Sequence, residues 1–207
     1  MDLLLVRHAE PVRIAPGERG DGAADPELTP GGREQAEQLA AWLAAEPVHH
    51  VVSSPLRRAR ETAAPVAAAH GLDIEIVDAL QEWDAHADSY IPVEELRETK
   101  DDRWVAMVEG RWEDYGGEDP ERFTARVVSS IDALVESHPG ERVVVVCHGG
   151  VINVYLGALL GLDRHLWFDP AYTSISRVLA SRDGARSLAS LNETGHLLGV
   201  RSTRRKP

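Results

Sequence analysis

The chain of 207 residues contains one cysteine, Cys147. An internal disulfide is therefore excluded, and a reducing cytoplasm suits the protein. No apolar run approaches membrane-spanning length. The amino terminus lacks the basic segment, apolar run and small-residue cleavage site of a signal peptide. Basic residues are outnumbered: 22 Lys and Arg stand against 34 Asp and Glu, a formal net charge of −12. Such a surface repels nucleic acid and anionic membranes, so neither is expected as a partner. An anionic substrate still fits if arginines are concentrated in one cleft. Also missing are a P-loop, a Gly-x-Gly-x-x-Gly turn and a kinase signature, which excludes the usual ways of holding a nucleotide with magnesium. No His-x-x-x-His pair or other close ligand spacing occurs. A zinc site from His8, His148 and Glu82 would rest on ligand type alone, so neither a metal nor a cofactor is expected. Repeats, low-complexity segments and linkers are absent too. The length suits one well-cored α/β domain over residues 1–207.

What is present is organised around Leu3-Leu4-Leu5-Val6-Arg7-His8. An apolar run of strand length, buried on both faces, ends abruptly in an arginine and a histidine. Val143-Val144-Val145-Val146-Cys147-His148 repeats the pattern late in the chain. Between them, Pro11 to Leu28 reads as a loop. Thr29-Pro30 reads as an N-cap and first helical position, with a helix reaching Ala45. Val48 to Ser53 is a short strand. Ser54-Pro55 reads as a second cap-and-proline start, with Gly71 closing the helix and Pro65 able to bend it. Ile74 to Val77 is a third strand. Asp78 to Val93 and Gly110 to Pro120 are irregular, and Glu94 to Glu109 looks helical. Glu121 to Glu136 is an amphipathic helix burying Phe123, Val127, Ile131, Leu134 and Val135. A helix spans Val151 to Leu160. Thr173 to Ala180 and Ser187 to Leu191 read as strands linked through Asp183-Gly184. Arg201 to Pro207 is a basic tail, read as a solvated end.

Strands alternating with helices imply a three-layer α/β/α sandwich, its sheet mainly parallel with helices on both faces. Open sheets of this kind place their chemistry at the carboxyl ends of the strands. There Arg7 and His8, the segment Ser54 to Arg58, and His148 with Gly149 should meet. Two arginines, two histidines and a helix amino terminus make an electropositive, donor-rich pocket. A phosphoryl group suits it, since guanidinium donors match its oxygens and helix-start N–H groups add partial positive charge.

These residues resemble a known family. Leu5-Val6-Arg7-His8-Ala9-Glu10 is similar to the signature of the histidine phosphatase superfamily, also called the phosphoglycerate mutase-like family. Leu28-Thr29-Pro30-Gly31-Gly32-Arg33-Glu34-Gln35-Ala36 resembles its next block, and Ser53-Ser54-Pro55-Leu56-Arg57-Arg58-Ala59-Arg60-Glu61-Thr62-Ala63 its second-arginine block. Leu80-Gln81-Glu82 is similar to its proton-donor segment, Val146 to Ile152 to its second-histidine block, and Leu191 to Leu197 to its closing segment. The blocks fall in the family's order and cover nearly the whole chain. The resemblance implies a phosphoglycerate mutase-like fold and a phosphohistidine mechanism. His8 would be the nucleophile, Arg7 and Arg58 the holders of phosphoryl oxygens, and His148 a donor to the same group, with the Gly149 N–H beside it. Glu82 would protonate the leaving oxygen and then activate water, with Trp83 helping to bury it. Arg58 is preferred to Arg57 and Arg60 because it directly precedes the Ala59 of the family block. Family habit also suggests a homodimer.

Departures from the best-known members bear on the substrate. Ile14 stands where phosphoglycerate mutases and many phosphatases carry an asparagine that touches phosphate, and Glu82 is followed by Trp83-Asp84, unlike the mutases. The expectation is a metal-independent phosphatase acting on a small phosphomonoester. A cofactor-dependent phosphoglycerate mutase and a non-catalytic phosphoryl-binding protein are the alternatives, and a phosphoprotein phosphatase is a further variant. Trp83, Tyr90, Trp104, Trp112 and Tyr115 either line the pocket or simply pack.

Overall fold

The computed structural model describes residues 1–18 and 22–198; the basic tail from Arg201 lies outside them. Six strands form one sheet: β1 (Asp2–Arg7), β2 (His50–Ser53), β3 (Ile74–Ile76), β4 (Arg142–Cys147), β5 (Ile175–Ala180) and β6 (Arg186–Glu193). Their order across the sheet is β3-β2-β4-β1-β5-β6. The first four strands run parallel, and β5 and β6 add an antiparallel hairpin at one side. The helices are α1 (Pro30–Leu43), α2 (Arg57–His70), α3 (Val93–Thr99), α4 (Asp102–Val108), α5 (Pro120–Ser137) and α6 (Gly149–Leu160).

Alternation along the two central strands builds two cores. Leu4, Val6, Val144 and Val146 pack with Leu39 and Leu43 of α1 and Ala59 and Ala63 of α2. Leu3, Leu5, Val143 and Val145 point the other way, onto Phe123, Val127 and Ile131 of α5 and Ile152 of α6. This is the expected three-layer α/β/α sandwich, and it explains why both strands are unbroken apolar runs. Each fully buried Leu, Val or Ile contributes roughly 1.5–3 kcal/mol. A charge at Val145, at the centre of the sheet, would break the fold.

Several boundaries differ from the sequence reading. The second helix begins at Arg57, not Pro55, with Leu56 rather than Ser54 at the N-cap position. Its first N–H groups are served from a distance, by Asp25 Oδ1 accepting from the Arg57 N–H at 2.7 Å. Helix α2 runs on through Pro65 to a left-handed Gly71. The helix expected over 94–109 is two. Lys100 takes a left-handed conformation (φ 54°) as the C-cap of α3, and the Asp101 carboxylate caps α4 by accepting from Arg103 N–H. Among the described residues no helix is long and apolar enough to cross a membrane.

Candidate active site

Arg7 and Cys147 are register partners at the carboxyl ends of β1 and β4. His8 and His148 therefore leave the sheet side by side, with ring centroids 5.1 Å apart. Both are buried, at 3% and 0% exposure. His8 Nδ1 lies 2.8 Å from the Ala9 carbonyl oxygen, which can only accept. That bond fixes the proton on Nδ1 and leaves a lone pair on Nε2. Burial, then the charges of Arg58 and Arg7, hold the His8 pKa well below its ordinary value, and the bond to Ala9 opposes them only in part. The imidazole is thus neutral at pH 7, with the Nε2 lone pair unprotonated. The loop that carries it is pinned by Thr62, whose hydroxyl accepts from Ala9 N–H and donates to Arg58 C=O.

His148 Nε2 is 2.8 Å from Ser54 Oγ. Ser54 Oγ also accepts from Leu56 N–H, so its own proton is free to go to Nε2. The remaining proton of His148 then sits on Nδ1, a buried donor with no acceptor among the described residues. Two more buried donors share this condition, Arg7 Nε and Arg58 Nε. Arg58, 2% exposed, makes no ion pair among the described residues and stacks its guanidinium 4.8 Å from the centre of the Tyr90 ring. Arg7 is held on its other side. Its Nη1 donates to Glu94 Oε1 at 2.9 Å and to the Pro170 carbonyl, and its guanidinium lies 4.1 Å from the Tyr172 ring centre. Burial works against the charge of Arg7, but Glu94, Tyr172, Tyr90 and Asp169 together hold its pKa above the ordinary value.

Glu82 follows a single 3₁₀ turn, Asp78–Leu80. Arg126 of α5 fixes this segment by donating to the carbonyls of Ala79 and Gln81. The Glu82 carboxylate accepts from Gly150 N–H at 2.9 Å and from Trp83 N–H at 3.2 Å. Burial, reinforced by the neighbouring Asp84, raises its pKa to about 7, against the opposing pull of the Gly150 bond and Arg58. Asp84 is itself raised by burial. A side chain at Gly150 would overlap the Glu82 carboxylate, so only glycine lets that helix start approach so closely. Gly149, one residue earlier, opens α6, and a Cβ there would lie 3.8 Å from Arg7 Nε. Its N–H is among the helix-start donors that carry partial positive charge.

Arg7, His8, Arg58, Glu82 and Gly149 line one cavity of about 390 Å³. His148 touches His8 from behind and does not line the cavity wall. Five of the six residues singled out from the sequence thus face one space, and the sixth adjoins it. Ile14 is absent from this wall. It packs in a small cluster with Ala24 and Tyr90. Arg57 points away and pairs with Glu27 and Glu61, as expected of a solvated residue. His8, His148 and Glu82 do not form a ligand set. Among the described residues the one group within mutual ligand reach is His50, His138 and Glu141, at the amino ends of β2 and β4, where Glu141 accepts from both rings. Sequence reasoning missed Glu94, Tyr172, Asp84, Thr62, Gly150 and the true role of Ser54. Thr62, inside the second-arginine block, was the nearest available signal.

Comparison with known proteins agrees with this geometry. Residues 3–194 match the model of the histidine phosphatase superfamily (branch 1). The chain is 33% identical over 199 residues to phosphoserine phosphatase 1 of Hydrogenobacter thermophilus, covering 94% of this chain and 93% of that protein. It is 32% identical over 203 residues to a bifunctional protein of Mycobacterium tuberculosis, of which it spans 54%. A mycobacterial glucosyl-3-phosphoglycerate phosphatase shares the fold with a TM-score of 0.73 and 26% identity, over 93% of this chain and 99% of that one.

Proposed function

The chain belongs to the histidine phosphatase superfamily, and on that premise we propose that it hydrolyses a small phosphomonoester through a phosphohistidine on His8. The observation that carries the reading is the set of three buried donors, on Arg7, Arg58 and His148, that find no acceptor among the described residues and are gathered around a neutral imidazole. Buried donors are ordinarily satisfied. Phosphoryl oxygens are the acceptors that fit two guanidiniums and an imidazole N–H at once.

The steps follow from the groups present. His8 Nε2 attacks phosphorus while Nδ1–H stays bonded to Ala9 C=O. The phosphorus–oxygen bond to the leaving alcohol breaks, and the protonated Glu82 delivers its proton to that oxygen. A pKa near 7 lets Glu82 be an acid in this step and a base in the next, where it takes a proton from water. The water oxygen attacks phosphorus, the nitrogen–phosphorus bond breaks, and inorganic phosphate leaves with His8 restored. Covalent catalysis divides one hard displacement into two easier ones, and the arginines stabilise charge on the transferring group.

The relatives' substrates, phosphoserine and glucosyl-3-phosphoglycerate, are small phosphomonoesters and support hydrolysis over mutase chemistry. The same reading has one domain over residues 1–207, working as a cytoplasmic homodimer. The buried, unpaired Cys147 suits that compartment.

The test is hydrolysis of a simple phosphomonoester in the presence of EDTA, with rapid quenching to trap the phosphoenzyme. Turnover that survives the chelator, and an acid-labile phosphate on the protein, are expected. Loss of activity with EDTA, or a phosphoenzyme stable to acid, would overturn the assignment.

A further inference from the structure

The reacting groups occupy one end of the cavity; the remainder of its wall is largely aromatic and aliphatic. Trp83, Trp104, Trp112, Trp167, Leu166 and Phe168 all contribute. Two of these indoles have their N–H groups engaged within the protein. Trp112 Nε1 donates to Met107 C=O at 2.9 Å, and Trp167 Nε1 to Asn153 C=O at 3.0 Å. What they offer a ligand is therefore hydrocarbon. Trp83 is set in place with particular care. Its ring lies 5.1 Å from that of Trp112, and a Cβ at either Gly117 or Gly150 would overlap it. Two glycines thus make room for a large flat side chain immediately beside the proton donor.

The cations around this wall are already matched. Arg97 pairs with Asp169 at 2.8 Å, Arg103 with both oxygens of Asp101, and Arg111 with Glu109 and Asp114. Arg164 is exposed, where solvent screens its charge. Among the described residues, no buried, uncommitted cation stands on the far wall to receive a substrate carboxylate. The amino and carboxylate groups of phosphoserine would leave water for a surface that cannot replace their hydration. An apolar leaving group would gain from the same move, at about 25 cal/mol per Å² of surface removed from water.

Resting on the phosphatase reading above, we propose that the preferred substrate is a phosphomonoester whose alcohol carries a flat aromatic or bulky apolar group, received against Trp83 and Trp104. Phosphorylated amino and hydroxy acids are then poor substrates.

A fair comparison needs alcohols of similar acidity, so that leaving-group chemistry does not decide the outcome. 2-Phenylethyl phosphate meets that need against phosphoserine and 3-phosphoglycerate. Its kcat/KM is expected to exceed theirs by about tenfold or more, through KM. Trp104 is half-buried and belongs to α4, away from the strand ends that carry Arg7 and His8. Trp104→Ala should erase most of the preference, about a tenfold loss for the aromatic ester, while inhibition by inorganic phosphate stays unchanged. Equal or better turnover of phosphoserine, or an unchanged ratio in Trp104→Ala, would overturn the proposal and leave the phosphatase reading intact. Calorimetry with His8→Ala separates the two claims from the other side. Binding of 2-phenylethyl phosphate about tenfold tighter than inorganic phosphate supports the pocket assignment even if the wild type turns over no ester; equal binding refutes it.

Discussion

The phosphoryl cradle and the cover above it are built differently. The cradle hangs from the ends of β1 and β4 and the first turns of α2 and α6, elements whose apolar residues fill the two cores. Its side chains are almost entirely buried and reach into the site from rigid backbone. The cover is residues 78–117, two seven-residue helices and two 3₁₀ turns strung between irregular segments. On the proposed mechanism the cradle fixes which bond is broken, and it tolerates little change. The cover selects what is attached to that bond, and short helices held by surface ion pairs can be altered without disturbing the sheet.

If the division is real, losses of activity should be greatest in the cradle and should not depend on the substrate. His8→Ala heads the series, with turnover reduced roughly 10^4-fold or more for every ester, because the nucleophile itself is gone. Single-turnover kinetics with a quench for phosphoenzyme would check it. A normal burst in that variant would place the covalent step elsewhere.

Arg58→Met comes next. Removal of one charge-stabilising donor should lower kcat/KM by about 10^3-fold. The same change replaces a buried cation that has no ion pair among the described residues with hydrocarbon of similar length. In phosphate-free buffer it should therefore raise stability, on the order of 1 kcal/mol, and abolish the stabilisation that added phosphate gives the wild type. Thermal melts with and without phosphate read both effects. A variant that phosphate still stabilises would remove Arg58 from the cradle.

Glu82→Gln stands at the border, since Glu82 serves the chemistry but lies on the cover's first segment. The loss in kcat/KM should be about 10^2–10^4-fold. Stability should respond in the opposite direction and depend on pH. The folded carboxyl keeps its proton up to about pH 7, above its ordinary value of 4.5. Its contribution is thus fully present below that ordinary value and is lost as pH rises through 7. Glutamine escapes the loss, so the variant should be more stable than wild type by on the order of 2 kcal/mol in alkaline buffer and little different in acid. Melts at both pH extremes that show the same difference would mean that Glu82 is ionised throughout.

The contrast between the two regions also explains what could be read from the sequence. Runs such as Leu3 to Val6 and Val143 to Val146 announce buried strands, and the histidines that end them announce the site. Helix α5 repeats its apolar residues over five turns, enough for the period to be plain. The cover offers no such length. A break at Lys100 is invisible to a count of apolar spacing, although Asp101 before Asp102 is a helix-start signal when read as one. Ser54 looks like a cap because serine before proline usually is one. Its hydroxyl goes instead to His148, 94 residues away, and a distant carboxylate at Asp25 serves the helix. Gly150, Thr62 and Tyr172 act through partners equally remote in sequence. Their roles depend on register and packing, which local pattern does not carry.

Glu94 is where the two regions touch, and its substitution should have the smallest effect of the series. It belongs to α3 of the cover, yet its carboxylate holds Arg7 of the cradle and accepts from Tyr172. Despite the cost of burial, the charge of Arg7 keeps the Glu94 pKa below the ordinary carboxylate value. A negative charge 2.9 Å from Arg7 orients the guanidinium but also offsets the charge that a phosphoryl group would meet. Glu94→Gln retains a hydrogen-bond acceptor and removes the charge. Stability should fall by about 1 kcal/mol, as a charge-assisted bond becomes an ordinary one. Inorganic phosphate should inhibit about threefold more tightly, since Arg7 then directs its full charge at the anion. Weaker inhibition would show that orientation outweighs charge at this contact, and that the cover governs the cradle's affinity as well as the choice of alcohol.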